Sequence, residues 1–192
     1  KKVVQRQRVS EKKSIDLPGS ETYKRALLET NQNLSNIPSI PKEHLIKLYR
    51  HEVKQLLPKL VKFEGPIHIA FAYKRLNLTL NLKRATPTIH VVYSEEVKAM
   101  LDKGRFIISG DFLWPDASRL VKLRLPEKGP EALVRPLEYV SPEEIEGVIL
   151  HLLGHSMGLS MESTIRETLS VFNAKQTPKT KETLTLEVER LL

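Results

Sequence analysis

Two histidines, His151 and His155, stand four residues apart in the segment "VILHLLGHSMGLSMES", residues 148–163. Residues four apart on an α-helix lie on the same face, and neutral imidazole nitrogens are common zinc ligands. Gly158 follows three residues later and is where the helix should end, because glycine accepts the left-handed conformation that closes a helix. The spacing therefore predicts a helix that presents two metal ligands near its end, followed by a turn.

The string "HLLGHSMGLSM" resembles the signature of the metzincin zinc peptidases. That signature is a histidine, a glutamate, two further residues and a second histidine, then a glycine and a third histidine at three-residue steps. The matrixin branch is most similar, because there a glycine precedes the second histidine and "GLS" precedes the third. The resemblance makes His151 and His155 the first two zinc ligands. It places Leu152 where the general-base glutamate belongs and Met161 where the third ligand belongs.

The two replaced residues decide which chemistry the motif can still support. A catalytic zinc takes three protein ligands and keeps a fourth position for water, and two imidazoles supply only two of the three. The glutamate of such sites moves the proton of the zinc-bound water, a role worth about 100- to 10,000-fold in rate, and leucine cannot hold a proton. The thioether of Met161 is a poor zinc ligand beside nitrogen donors. We therefore expect a vestigial or weak metal site, no catalytic residue, and no cofactor unless the site still holds zinc.

An active zinc endopeptidase is the competing interpretation. In that case Glu162 would supply a carboxylate ligand, although it lies one residue beyond the third-ligand position, or His90 would complete the site. The spacing of His90, and of the remaining histidines, is not that of a metal site, so structural roles are expected for His44, His51, His68 and His90.

The helix that carries the histidine pair has a well-marked start. Ser141 is a typical N-cap, Pro142 suits the first helical position, and Glu144 completes a capping box three residues after the cap. The residues that follow are apolar on almost every side, which predicts a buried helix. Farther upstream, apolar residues repeat with a helical period from residue 42 to about residue 63, which predicts a long amphipathic helix behind the core.

The segments between these two helices alternate apolar and polar residues, as half-buried strands do. Strands are predicted at residues 67–73, 76–82, 88–94, 105–114 and 118–126. A short helix is predicted at residues 94–104 with Ser94 as its cap, and residues 181–192 fit a helix and a strand equally well. The predicted fold class is therefore α+β, a mixed β-sheet with helices packed on it.

The resemblance implies a more specific architecture. A zincin fold of the metzincin type would combine the mixed sheet with a long backing helix, a buried site helix and a C-terminal helix. It would also place a turn beneath the metal near "ETLSVF", where Leu169 occupies the position of a methionine.

The composition is that of one globular domain with a charged extension. A chain of 192 residues with 40% hydrophobic and 28% charged residues is long enough for one large core and short for two. No apolar run approaches the ~20 residues needed to cross a bilayer, and no secretion signal is recognisable, so a soluble protein is predicted. The absence of cysteine excludes disulfides and thiolate chemistry, and it is also typical of chains selected for high temperature.

The net charge of +8 is concentrated at the start of the chain. Residues 1–13 contain a single acidic residue, Glu11, and six basic ones. These are Lys1, Lys2, Arg6, Arg8, Lys12 and Lys13. Such an arm suits nucleic-acid phosphates or an acidic protein surface, and it is equally typical of a solvated end. We predict a basic N-terminal arm with a short helix at residues 1–40 and a matrixin-like domain at residues 41–192.

The leading hypothesis is a catalytically degenerate matrixin-like domain, a pseudo-protease that serves as a binding or structural component of a larger assembly with protein partners. The alternatives are the active zinc endopeptidase and a basic nucleic-acid-binding protein. The latter is motivated by a pI of about 9.6 and by the string "YKRLNLTLNLKR". An assembly in the cytoplasm, an organelle or a virion is the favoured location. Export stays open, because the chain starts at Lys1 without a methionine.

Overall fold

The structure is a computed structural model, and the residues that it describes are 17, 19–24, 26, 28–30, 42–116, 122–126, 135–155 and 158–192. The six basic residues of the predicted arm lie outside these ranges. Where residues 1–40 are described, Glu21–Thr22 forms a strand rather than part of the predicted short helix.

The described residues form six α-helices, five short strands and one turn of 3₁₀ helix, Leu137–Tyr139. The helices are α1 (Lys42–Glu64), α2 (Ile69–Thr79), α3 (Pro87–Asp102), α4 (Pro142–His155), α5 (Met161–Val171) and α6 (Pro178–Leu191). The strands are β1 (Glu21–Thr22), β2 (Ile67–His68), β3 (Ile107–Ser109), β4 (Phe112–Trp114) and β5 (Arg124–Leu125). The described residues thus form an α+β structure, as predicted, but one in which helix dominates, with 62% of these residues in helices and 8% in strands.

Helix α1 confirms the predicted amphipathic helix almost to the residue. Its apolar stripe, which includes Leu56, Leu57 and Leu60, is fully buried and packs mainly against α3. At the other end of the chain, the ambiguous segment is helical. Thr177 caps α6 by accepting a hydrogen bond from the backbone N–H of Thr180, and proline follows the cap, which together outweigh the alternating leucines.

The strands predicted between residues 67 and 94 are wrong. Only Ile67–His68 is extended, and α2 and α3 occupy the rest. Burial shows the reason, because Leu76 and Leu80 are buried one helical turn apart while Leu78 between them is 65% exposed. A strand would have put all three leucines on one face.

Helix α3 also begins earlier than predicted. Thr86, not Ser94, is its N-cap, and the Thr86 hydroxyl oxygen accepts a hydrogen bond from the backbone N–H of Ile89. Pro87 takes the first helical position, where its missing N–H costs nothing. Ser94 lies in the middle of the helix and donates to the carbonyl of Val91.

The predicted mixed sheet is replaced by two small sheets in the described part of the chain. Strands β3 and β4 form an antiparallel hairpin, and β2 pairs antiparallel with β4, with Ile67 opposite Leu113. The strand predicted at residues 105–114 is broken because Gly110 turns the chain with a φ of +54°. Of the predicted strand at 118–126, residues 122–126 are described and only β5 is a strand among them, which pairs in parallel with β1.

Two hydrophobic clusters divide the core. The first lies among α1, α2, α3 and the three-stranded sheet, with Tyr93 and Leu60 at its centre. The second lies among α4, α5 and α6, with Val148 and Leu184 at its centre. Among the described helices, none has the length and apolar character needed to cross a bilayer.

Candidate functional site

The start of α4, the helix that carries the histidine pair, is fixed as the sequence predicts. The backbone N–H of Glu144 donates to the Ser141 hydroxyl oxygen, and the backbone N–H of Ser141 donates to the Glu144 carboxylate, both at 3.4 Å. Pro142 is the first helical residue. This reciprocal pair of bonds is the capping box.

Glu144 also has a role that the sequence does not reveal. Its carboxylate is 1% exposed and accepts hydrogen bonds from Arg124 Nη2 and Arg135 Nη2, each at 2.8 Å. Burial by itself would raise the pKa of the Glu144 carboxyl, but the two guanidinium groups outweigh it, so the pKa is lowered and the group stays ionised. Arg124 further donates to the Pro66 carbonyl at 2.9 Å, which ties α4 to the chain between α1 and β2.

A second buried carboxylate extends this network into the first cluster. Glu64 pairs with Arg75 Nη2 at 2.8 Å and accepts the backbone N–H of Ala26 at 2.9 Å and the hydroxyl of Tyr23. Burial and the neighbouring Glu64 charge raise the pKa of the Tyr23 hydroxyl, so it remains a donor. The Arg135 guanidinium lies 4.8 Å from the centre of the Tyr23 ring. With its charges paired and buried, the network connects the two clusters rather than forming an accessible site.

The histidine pair lies on one face of α4, as predicted. The ring centres of His151 and His155 are 4.1 Å apart, with 24° between the ring planes. His155 Nδ1 lies 2.9 Å from the backbone carbonyl of His151, so Nδ1 is the donor and Nε2 is the ring nitrogen left to bind a metal. His155 is exposed and His151 is partly buried. The pair therefore offers His155 Nε2 as a candidate ligand atom, beside the second ring of His151, which is in contact with it.

The residues around the pair do not complete a metal site. Leu152 is only 6% exposed and packs within the second cluster, whereas Glu162 is exposed in the first turn of α5. Met161 begins α5 and packs partly buried against the same cluster. Within the part of the chain that the structure describes, no three histidine or acidic side chains are grouped as metal ligands.

The turn expected beneath the metal is also wrong. Leu169, in the position of the methionine, is a buried residue of helix α5, which continues to Val171. Gly158, by contrast, has a φ of +81°, the left-handed conformation predicted for the residue that follows the site helix.

The other histidines make ordinary structural contacts. His68 accepts the backbone N–H of Ala70 at 3.1 Å at the start of α2 and packs against the rings of Phe112 and Tyr139. Burial lowers the pKa of the His68 imidazole, which favours the neutral form that such a bond requires. His90 lies on α3 with its ring centre 6.0 Å from that of Tyr73, not grouped with the histidine pair.

His44 and His51 are both exposed on α1. His51 contacts Gln55 one turn later through a 2.8 Å hydrogen bond.

A cavity of about 700 Å³ lies between α2 and the start of α3, and the sequence pattern did not indicate it. Basic and aromatic side chains border it, among them Tyr73, Lys74, Lys83, Arg84 and His90. The sequence feature that could have indicated this cavity is the string "YKRLNLTLNLKR", which has basic residues at both ends. The same string also fits two strands with charged ends. A helix instead brings Tyr73, Lys74 and Asn77 to one side, facing the loop that carries the second basic pair.

No protein-family model matches this chain, and no curated protein or solved structure matches it significantly. The resemblance to metzincins therefore rests on the sequence motif at residues 151–161.

Proposed function

We propose that the chain is a catalytically inactive binding or structural component of a larger assembly, built on a matrixin-like helix whose peptidase motif has lost its function. The observation that carries the proposal is the position of Leu152. At the place of the general base, its side chain belongs to the hydrophobic cluster among α4, α5 and α6. A general base at this position would have to contact a metal-bound water, whereas the Leu152 side chain packs into the hydrophobic cluster.

The donor set around the histidine pair supports the same conclusion. Two imidazoles on adjacent turns hold zinc weakly, because a catalytic zinc takes three protein ligands. Among the described side chains, Glu162 is not grouped with the pair as a third ligand, and the Met161 thioether, a poor zinc ligand, packs against the second cluster.

The charge distribution supports a binding role. The arm at residues 1–13 carries six basic residues against one acidic residue, which suits an acidic protein partner or nucleic acid. The described residues offer a support for such an arm, because Arg124, paired with the buried Glu144 carboxylate, also donates to the backbone carbonyl of Glu64 and so joins the two hydrophobic clusters. Ionic groups of this kind hold a specific arrangement of elements together when every partner is present.

Reconstruction of the motif tests this proposal. Leu152→Glu with Met161→His restores the missing base and ligand, so bound zinc should rise to about one ion per chain if α4 and the Gly158 turn follow a matrixin path. Zinc is measured by elemental analysis in the wild type, both single variants and the double variant, with circular dichroism as the check on folding. A folded double variant that stays free of zinc would contradict the matrixin interpretation.

The single variants keep the test informative if the double variant fails to fold. Leu152→Glu alone should destabilise the chain by several kcal/mol, because it buries a carboxylate without a partner. Met161→His alone is a mild change at a partly buried position and should raise the affinity of the histidine pair for zinc. No gain in affinity from Met161→His would place that residue away from the pair and would contradict the proposed alignment.

A further inference from the structure

The cavity between α2 and the start of α3 is bordered by positive charge. Lys74 reaches it from α2, and Lys83 and Arg84 reach it from the loop that follows. No carboxylate is found among the described side chains that line it. Cationic groups that converge on one cavity without carboxylates between them attract and hold anions.

These cations are available to a ligand. Lys83 and Arg84 are exposed, and neither forms an ion pair or a side-chain hydrogen bond with the other described residues. The buried Arg75, by contrast, donates to the Glu64 carboxylate and to the Ala26 carbonyl. Lys74 is held in place, since its ammonium group donates to the Tyr139 hydroxyl at 2.7 Å and lies 4.6 Å from the centre of that ring. Neither contact neutralises its charge, but the nearby Glu138 carboxylate offsets part of it, since Lys179 and, to a smaller extent, Lys74 lower the pKa of that group.

The same cavity has an aromatic side. Tyr73 and His90 line it with their ring centres 6.0 Å apart, and the fully buried Tyr93, which is not part of the lining, has its ring centre 5.1 Å from that of Tyr73. Burial raises the pKa of both tyrosine hydroxyls, so the phenol rings are neutral. The Tyr93 hydroxyl donates to Asn77 Oδ1 at 2.8 Å, which leaves the amide N–H groups of Asn77 to donate elsewhere. The cavity thus combines planar surfaces with a neutral donor and cations.

The backbone N–H groups at the N-terminal end of helix α3 are not the main source of this affinity for anions. Its Ile89 N–H is already taken by the Thr86 hydroxyl, and Pro87 has no N–H to offer. Recognition of an anion here depends on the side chains.

We propose that this cavity binds an organic phosphate that carries a planar ring, the chemistry of a nucleotide. Lys74, Lys83 and Arg84 hold the phosphate, because guanidinium and ammonium groups make strong charge-assisted hydrogen bonds to phosphate oxygens. The ring lies against Tyr73 and His90, since bases stack on aromatic side chains with little regard to sequence. A volume of about 700 Å³ suits a ligand of this size.

A free mononucleotide and a nucleotide of a single strand both present this chemistry. Neither requires the histidine pair of α4, so the inference is independent of the proposed function.

Calorimetric titration of the full chain with adenosine monophosphate, adenosine and inorganic phosphate tests the inference. Adenosine monophosphate should bind more tightly than either fragment, because only it engages both sides of the cavity. Lys83→Ala with Arg84→Ala should weaken its binding about tenfold or more, since the variant removes two cations that bind the phosphate. The matched control is Lys98→Ala with Arg105→Ala, which removes the same charges from exposed positions outside the cavity and should leave the affinity unchanged.

The aromatic side is tested separately with His90→Ala, an exposed position where the fold should tolerate the change. This variant should weaken binding of adenosine monophosphate about fivefold or more and leave inorganic phosphate unaffected. A short single-stranded oligonucleotide, titrated in parallel, identifies the source of the nucleotide by whether it binds more tightly or less tightly than adenosine monophosphate. The inference is overturned if inorganic phosphate binds as tightly as adenosine monophosphate, if millimolar nucleotide does not bind, or if the control pair loses as much affinity as the cavity pair.

Discussion

Replacing Glu144 with glutamine should destabilise the chain strongly, although it changes a single atom. The carboxylate is 1% exposed and pairs with Arg124 and Arg135 at 2.8 Å each, so the substitution leaves two buried guanidinium groups without a counter-charge. Removing one partner from a buried ion pair costs about 3–5 kcal/mol. Glutamine keeps one oxygen to accept a hydrogen bond, so we expect a loss near the lower end, measured by urea unfolding at pH 7.

The same residue predicts how stability depends on pH. The two arginines hold the folded-state pKa of Glu144 below its ordinary value of 4.5. The stabilisation is therefore fully present above about pH 4.5 and is lost as the pH falls through the lower folded-state pKa. Glu144→Gln should remove this part of the acid dependence, so the wild-type and variant unfolding free energies should converge as the pH falls below 4.5.

Glu146→Gln is the matched control, because Glu146 lies on the same helix end but pairs with Arg190 at the surface. Solvent screens that pair, so its loss should change the unfolding free energy far less. The network would have no stabilising role if Glu144→Gln cost no more than Glu146→Gln, or if the acid dependence of stability were the same in both variants.

Three further changes test the helix assignments and the N-terminal arm. Thr86→Ala should cost about 1 kcal/mol in urea unfolding as the loss of an N-cap, whereas Ser94→Ala, inside α3, should cost much less. Leu76→Lys should destabilise the fold by several kcal/mol and Leu78→Lys should be tolerated, since a helix buries only the first, while equal penalties would favour the strand. Deleting residues 1–13 should reduce the magnitude of the slope of log affinity for duplex DNA against log salt concentration by about 0.9 for each phosphate that the arm neutralises. An unchanged slope would mean that the arm binds a protein partner or is simply solvated.

The parts of the fold that could be predicted carry redundant local signals. Helix α4 has a cap, a proline and a reciprocal glutamate within four residues, and α1 repeats its apolar stripe over six turns. The alternating leucines at residues 76–82 are compatible with both a helix and a strand, because residues 76 and 80 share a face in either structure. Leucine is a strong helix former without β-branching, and that propensity favoured the helix.

The buried network could not be predicted because its members are far apart in the sequence. Glu144 shows a capping role locally, while its partner Arg124 comes from a strand twenty residues earlier and Glu64 from the end of α1. The basic cavity could not be predicted for a related reason. Lys74 lies on one side of α2 and Arg84 lies in the loop after it. The two side chains border the same cavity only because residues 69–79 are helical.

The zinc content of the purified full chain tests most directly the claim that the site on α4 is catalytically inactive. After equilibration with zinc and dialysis, elemental analysis of the wild type, His151→Ala and the matched surface variant His51→Ala should give far less than one zinc ion per chain in all three. A parallel incubation with an unstructured protein substrate should show no cleavage. One zinc ion per chain that disappears in His151→Ala and persists in His51→Ala, with cleavage that follows the zinc, would contradict the account.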